Sequence, residues 1–291
     1  MERSASAAPL FLPCQHEKNT IDKNLIQMKI SVITYLSILL FFLTACREEE
    51  FDQKNVREFS FTSSVNGSTY PIKVALPKNY STHSKYKTLY VLDSNWDFNF
   101  VAQEVQKQSE EFQRYDILVV GIGWGNDRLD DYLPVPYKNN AGRADEFVKV
   151  IHDELIPRLE KDYKAAPFRE DRTILGHSAG GLLGSYCFTN YPEIFGNYLC
   201  LSPSLWVGNQ VVLINEKKNR AGNQSRSGRF FLAAGKLEEG GMLPPIEAFR
   251  LILNQHYKGF YQGYNLAGGL DHLGSKKANI RKAISFYFHQ L

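Results

Sequence analysis

Residues 173–183 read Thr173-Ile174-Leu175-Gly176-His177-Ser178-Ala179-Gly180-Gly181-Leu182-Leu183. An apolar, β-prone run gives way to the pattern G-x-S-x-G and then to a helix-forming run that begins near Leu182. The order predicted is strand, tight turn, helix. Glycine at 176 and 180 suits such a turn, because a side chain at either position is expected to collide with neighbouring backbone. The turn would lift the Ser178 hydroxyl to the end of the strand. It would also aim the N–H of Ala179 at the place where a negatively charged oxygen develops, with the positive end of the helix dipole behind it. A serine so placed is a candidate nucleophile; the alternative is a small-residue turn with a purely structural role.

Outward from this stretch, β-rich apolar runs recur at Thr88 to Leu92, Ile117 to Ile122, Tyr198 to Leu201, Phe230 to Ala234 and Tyr261 to Leu266, with helical patterns between them. The clearest helix runs from Ala144 to Tyr163, where Phe147, Val148, Ile151, Leu155, Ile156 and Leu159 share one face. Pro157 should bend or break it. Leu182 to Phe188, Ile246 to Leu253 and Ala278 to Phe288 read as further helices. Near the start, Phe59 to Ser63 and Thr69 to Leu76 alternate about Asn66-Gly67, a dipeptide suited to a type I′ turn, which predicts an antiparallel hairpin. Near-continuous apolar strands alternating with helices predict an α/β fold, a mostly parallel central sheet with helices on both faces and the hairpin at its leading edge.

With 43% hydrophobic, 22% charged and 13% aromatic residues in 291, disorder, collagen and coiled coil are excluded. Lys and Arg number 34 against 31 Asp and Glu, and no dense basic run is interleaved with aromatics, so no nucleic-acid partner is expected. No H-E-x-x-H pair or cofactor fingerprint occurs, and neither metal nor cofactor is expected.

The N-terminal part has a different character. Lys29 is followed by an uncharged, mostly apolar run from Ile30 to Ala45, shorter than the ~20 residues a membrane-spanning helix needs, and then by acids. Residues 28–45 read as a signal peptide beginning at Met28, and residues 1–27 as an upstream extension. Leu43-Thr44-Ala45-Cys46 resembles the bacterial lipobox, which makes Cys46 a lipidation site and anchors the chain to the cell envelope. The alternative is a plain secretory signal that contains a cysteine. Arg47-Glu48-Glu49-Glu50 resembles the acidic tether of some Bacteroidetes-type surface lipoproteins, so the expected address is the outer membrane, with the cell surface as one candidate face. Residues 46–57 form the tether and 58–291 the folded domain. Of the remaining cysteines, Cys187 and Cys200 have apolar or aromatic neighbours and read as free thiols.

Taken together, Gly176-His177-Ser178-Ala179-Gly180-Gly181, Ser202-Pro203-Ser204-Leu205-Trp206, Arg128-x-x-Asp131-Tyr132-x-Pro134 and Glu154-Leu155-Ile156-Pro157 resemble an esterase family of α/β-hydrolases. Its members include ferric-siderophore esterases of the enterobactin and bacillibactin type, feruloyl esterases and S-formylglutathione hydrolase. The similarity covers nearly all of residues 58–291, and the second and third motifs look most like the siderophore-esterase branch.

The resemblance implies an α/β-hydrolase fold and a triad in the chain order Ser, acid, His. His256, His272 and His289 follow the expected acid region, but His256 and His289 fall in or at the end of helices. His272, in Gly268-Gly269-Leu270-Asp271-His272-Leu273-Gly274 between the last strand and last helix, stands where the family base belongs; the alternative is a loop histidine that caps that helix. For the acid, Gly235-Lys236-Leu237-Glu238-Glu239 follows a strand. Either glutamate could reach, the resemblance favours Glu238, and failure of both would leave a Ser–His dyad. The second oxyanion donor should come from Leu92-Asp93-Ser94-Asn95-Trp96, with the N–H of Asn95 as candidate and Trp96 close behind.

Arg128 could hold an anionic substrate or pair with Asp130 or Asp131. Trp206 could wall an acyl or aromatic pocket, helped by Trp124 and Tyr137, or serve core packing. No lid-sized insertion is evident. The expectation is a lipid-anchored serine ester hydrolase working through an acyl-enzyme on a small-molecule ester, a ferric siderophore or catecholate ester by resemblance, or acetyl or feruloyl groups on polysaccharide. Acyl transfer is a rival within enzymes, and a non-catalytic surface binding protein is a rival outside them.

Overall fold

In the computed structural model, residues 53–291 are described; the expected signal peptide, Cys46 and the start of the expected tether lie outside the described residues. Eight strands form one sheet: β1 (Val56–Thr62), β2 (Thr69–Ala75), β3 (Lys87–Val91), β4 (Ile117–Ile122), β5 (Arg172–His177), β6 (Asn197–Leu201), β7 (Gly228–Gly235) and β8 (Phe260–Ala267). Their order is β1-β2-β4-β3-β5-β6-β7-β8. The β1–β2 and β2–β4 pairs are antiparallel and the other pairs parallel. With two reversals between them, β1 and β4 point the same way, so Val56 lies at the amino ends of the parallel strands.

Alternation along each strand feeds two apolar layers. Leu89 and Val91 face one side, packed with Val119, Leu175, Phe98, Val101, Ile280 and Ile284. Tyr90 and Leu92 face the other, with Val120, Ile174, Phe147, Leu155, Leu182 and Phe249. Burial on both faces is why the central strands read as continuous apolar runs rather than as alternating ones. Helices α1 (Ser94–Phe112) and α8 (Lys276–His289) cover the first face. The other carries α2 (Arg128–Tyr132), α3 (Ala144–Lys149), α4 (Ile156–Asp162), α5 (Ala179–Asn190), α6 (Val207–Asn223) and α7 (Leu243–His256). The sequence thus predicts the fold class correctly.

Several local expectations change. The hairpin is closed not by a two-residue type I′ turn but by the wider loop 63–68. There Ser63 N–H donates to Ser68 O (2.8 Å), and the Asn66 side chain accepts from Ser68 N–H (3.1 Å) and donates to Tyr70 (2.8 Å). Asn66 therefore organises the loop with its amide. Ahead of Pro157 the helix does not break but widens into a π segment, Val150–Leu155, between α3 and α4. The wider turn accommodates a residue with no N–H and a ring that would strike the usual acceptor carbonyl. Helices α1, α2 and α6 were not among the expected elements; α2 takes up Arg128, Asp131 and Tyr132, which read as loop. Within α6, Gly208, Asn209 and Gln210 turn left-handed (φ 58, 52 and 64), and the right-handed helix follows them. Cys187 and Cys200 are buried and unpaired, as expected.

Candidate active site

At the carboxyl end of β5 the chain turns abruptly through Ser178 (φ 60, ψ −118) into α5. A β-branched or bulky residue resists that conformation, and serine tolerates it only under constraint from its surroundings. The constraint is backbone: Ser178 N–H donates to Leu201 O (2.9 Å), and its own carbonyl accepts from Leu182 N–H (2.9 Å) and Ser204 N–H (3.2 Å). A β-carbon on Gly176 would lie 2.4 Å from the Gly180 backbone, so that glycine is required as expected. At Gly180 the expectation of a collision is wrong: the nearest atom would be Asp93 Oδ2 at 3.4 Å, an ordinary contact. The second obligatory glycine is Gly181, whose β-carbon would meet Leu201 O at 2.8 Å.

His272 stands in the loop between β8 and α8, and its Nδ1 lies 3.0 Å from Glu238 Oε2. Glu238 follows β7, its side chain is fully buried, and its other oxygen accepts from Gly235 N–H (3.0 Å). Burial raises the Glu238 carboxyl, but His272, the nearby Ser202 hydroxyl and the Gly235 N–H outweigh it and hold the group below its ordinary range. Glu239 is exposed. Since a carboxylate only accepts, Nδ1 carries the proton, and Nε2 is left free to act as a base. Neither His256, which meets Arg220 (3.0 Å), nor the exposed His289, which lies edge-on to Phe112 (4.8 Å), joins this group. Asp271 accepts from Gly274 N–H (2.7 Å), tightening the loop.

His177, next in the chain to Ser178, binds the His272 loop to the serine turn. Its Nε2 lies 3.0 Å from the His272 carbonyl and its ring is 4.6 Å from the His272 ring. Burial, with the neighbouring His272 and Lys276, pushes His177 down to about 3. It is neutral near neutral pH and donates from Nε2, because a carbonyl can only accept.

The turns after β3 and β5 leave backbone donors unengaged. Ala179 N–H opens α5 and makes no hydrogen bond among the described residues. Asp93, with φ 56, precedes α1 and leaves the N–H groups of Ser94 and Asn95 without acceptors among the described residues. Trp96 is not an available donor, because its N–H bonds to Asp93 O (2.9 Å).

Arg128 pairs with neither Asp130 nor Asp131. It forks onto Asp93, Nε to Oδ1 at 2.6 Å and a terminal nitrogen to Oδ2 at 2.7 Å. Asp130 accepts instead from Ala141 N–H, and Asp131 from Tyr70 and Asn126. Trp206 is 37% exposed, meets Tyr137 edge-on (5.6 Å) and donates to Met242 Sδ (2.9 Å). Trp124 belongs to a different pair, edge-on to Trp96 (4.6 Å) and hydrogen-bonded to Asp93 (2.9 Å). Trp96, Leu237 and Leu273, beside Asn95, Glu238 and His272 in the chain, are exposed apolar side chains.

Sequence reasoning missed three participants. The Ser204 hydroxyl lies 3.4 Å from that of Ser178; His177 ties the two loops; Asp93 is the acid that Arg128 meets. Ser204 was visible in the Ser-Pro-Ser-Leu-Trp motif, whereas the other two depend on contacts between distant segments. Among the described residues, no cluster of His, Cys, Asp or Glu could hold a metal.

A family model described as “Putative esterase” matches residues 63–244, a span that holds Ser178, Glu238, Asn95 and Arg128. The chain belongs to this esterase family. Among curated relatives, it is similar to the ferri-bacillibactin esterase BesA of Bacillus subtilis, 27% identical over 200 residues, covering 59% of this chain and 66% of that protein. It is also similar to an apo-salmochelin esterase of Escherichia coli, 30% identical over 176 residues, 53% of this chain and 54% of that protein. This esterase-family chain thus spans between half and two thirds of those relatives. Among solved structures, the BES protein of Bacillus cereus superposes with a TM-score of 0.73 at 25% identity over 82% of this chain and 97% of that one.

Proposed function

We propose that the protein is a serine carboxylic ester hydrolase that works through an acyl-enzyme on Ser178. The observation that carries this reading is the Glu238–His272 pair, 3.0 Å long, held through His177 to the turn that bears Ser178. His272 Nε2 takes the Ser178 proton as Oγ attacks the ester carbonyl, and the N–H groups of Ala179 and Asn95 hold the resulting oxyanion. The C–O bond then breaks, His272 returns the proton to the departing alcohol, and water repeats the sequence to free the acid and Ser178.

For the substrate we propose an ester with an aromatic part, of which a siderophore catecholate ester is the leading case. The names of the relatives and the exposed Trp96 and Trp206 support that class; the same aromatic surfaces also suit a feruloyl group. We further propose that Cys46 carries the lipid that holds the enzyme to the cell envelope.

The test is hydrolysis of p-nitrophenyl acetate, a ferric tris-catecholate triester and a feruloylated glycan by the full chain. Ser178→Ala and His272→Ala should each cost about a thousandfold or more, and Glu238→Gln about a hundredfold or more. A Glu238→Gln enzyme at full rate would assign a Ser–His dyad. A folded wild type inert toward all three esters would leave a binding protein as the better reading.

A further inference from the structure

Asp93 is 1% exposed, and each of its polar groups is engaged. Its N–H donates to the Tyr132 hydroxyl (2.9 Å), and its carbonyl accepts from Trp96 and Asp97 at the start of α1 (2.9 and 3.1 Å). Its carboxylate takes both arms of the Arg128 fork and the Trp124 indole N–H. A terminal nitrogen of Arg128 also reaches the carbonyl of His177 (3.2 Å), the residue before Ser178. The guanidinium itself lies 5.4 Å from the ring centres of both Trp96 and Tyr132. On the far side, Asp93 Oδ2 packs close to Gly180, one residue beyond Ala179.

One ion pair thus joins the turn that presents Asn95 to the turn that presents Ser178 and Ala179. We propose that Asp93 and Arg128 are positioning residues that set the separation of the two oxyanion donors, and that Arg128 is not a ligand for substrate anions. The inference rests on the serine-hydrolase reading above. The left-handed backbone of Asp93 is what turns the N–H groups of Ser94 and Asn95 out of the helix, and a residue other than glycine holds that conformation when its side chain is fixed. The fixing partner is Arg128. Its charge is already met by a buried carboxylate through two parallel bonds, the strong geometry for this pair, so a substrate anion would have to displace Asp93. The other cation beside Trp96, Lys276, is likewise held, by Asp97 at 2.5 Å.

The test compares a neutral ester, p-nitrophenyl acetate, with an anionic one, mono-p-nitrophenyl succinate, for the wild type, Arg128→Lys, Arg128→Ala and Asp93→Asn, with circular dichroism to confirm folding. Displacing a donor should cost kcat roughly 10- to 100-fold, somewhat less than losing one outright. The loss should be the same on both esters within about twofold, with KM little changed, and guanidinium in solution should restore part of the Arg128→Ala rate. Arg128→Lys should not recover the wild-type rate, since an ammonium cannot make the fork. A loss confined to KM for the succinate ester would overturn the proposal, as would Asp93→Asn and Arg128→Lys enzymes with wild-type kcat. If Arg128→Ala does not fold, the isosteric Asp93→Asn carries the comparison alone. Hydrolysis that survives Ser178→Ala would instead refute the serine reading itself, a result read independently of Arg128.

Discussion

His177 shows how much a single side chain can do while taking no part in bond making. Its ring is buried and neutral, and it holds the His272 carbonyl. Its folded-state value, about 3, lies below the ordinary histidine value, so the unfolded chain binds the extra proton first. Stability contributed by the neutral form is complete above about pH 6.5 and is lost progressively as the pH falls toward 3, at a limiting slope of about 1.4 kcal/mol per unit. Urea unfolding followed between pH 7 and 4 should therefore be steeper for the wild type than for His177→Gln, which keeps a donor and does not titrate. Parallel curves would show that other groups dominate the acid limb. The sequence made Ser178 legible because its neighbours are dictated by local backbone geometry, and family resemblance then singled out Glu238 and His272. It could not show Asp93 or His177 at work, because each acts on a partner brought close only by the sheet.

At the scale of elements, the glycines of the serine turn are not equivalent. A methyl group at Gly181 would press on Leu201 O and, at 3.1 Å, on the Pro203 backbone, whereas at Gly180 it would find ordinary contacts. Gly181→Ala should cost about 1–3 kcal/mol by overpacking, while Gly180→Ala should be neutral or stabilising by up to about 1 kcal/mol, since alanine suits the first turn of α5 better. Thermal unfolding of the two variants checks the contrast; equal losses would mean that the turn itself cannot accept any side chain. Helix α1 escaped the sequence reading because its buried face mixes Phe98, Val101 and Val105 with Ser94, Asp97, Glu104 and Ser109, which blurs the apolar stripe. Helix α6 escaped because it buries few apolar residues, Val207 and Val212 among them, and starts with a left-handed turn. By contrast, the stripe from Phe147 to Leu159 was continuous, and only the π segment ahead of Pro157 was hidden in it.

For the whole molecule, parallel pairing decides where chemistry can be assembled. Asp93, Ser178, Glu238 and His272 each follow the carboxyl end of a strand, β3, β5, β7 and β8, so four distant segments of chain converge at one end of the sheet. That convergence was inferable from the alternation of strands and helices, although the exact partners were not. The proposed lipid on Cys46 is a property of the same scale: Cys46→Ala should abolish incorporation of radiolabelled palmitate in a bacterial host and move the protein from the membrane to the soluble fraction. A wild-type chain that takes up no label would send the N-terminal reading back to a plain secretory signal, and label retained by Cys46→Ala would place the lipid elsewhere. Because β1 runs with β4, the chain enters the sheet at Val56, beside Ala75 and the amino end of β4, at the pole opposite the one where the catalytic candidates gather. A bead, electrode or fusion partner coupled ahead of that strand therefore leaves the reactive pole open to bulk solution, and immobilisation through the N-terminal side should not obstruct the approach of even a large ester.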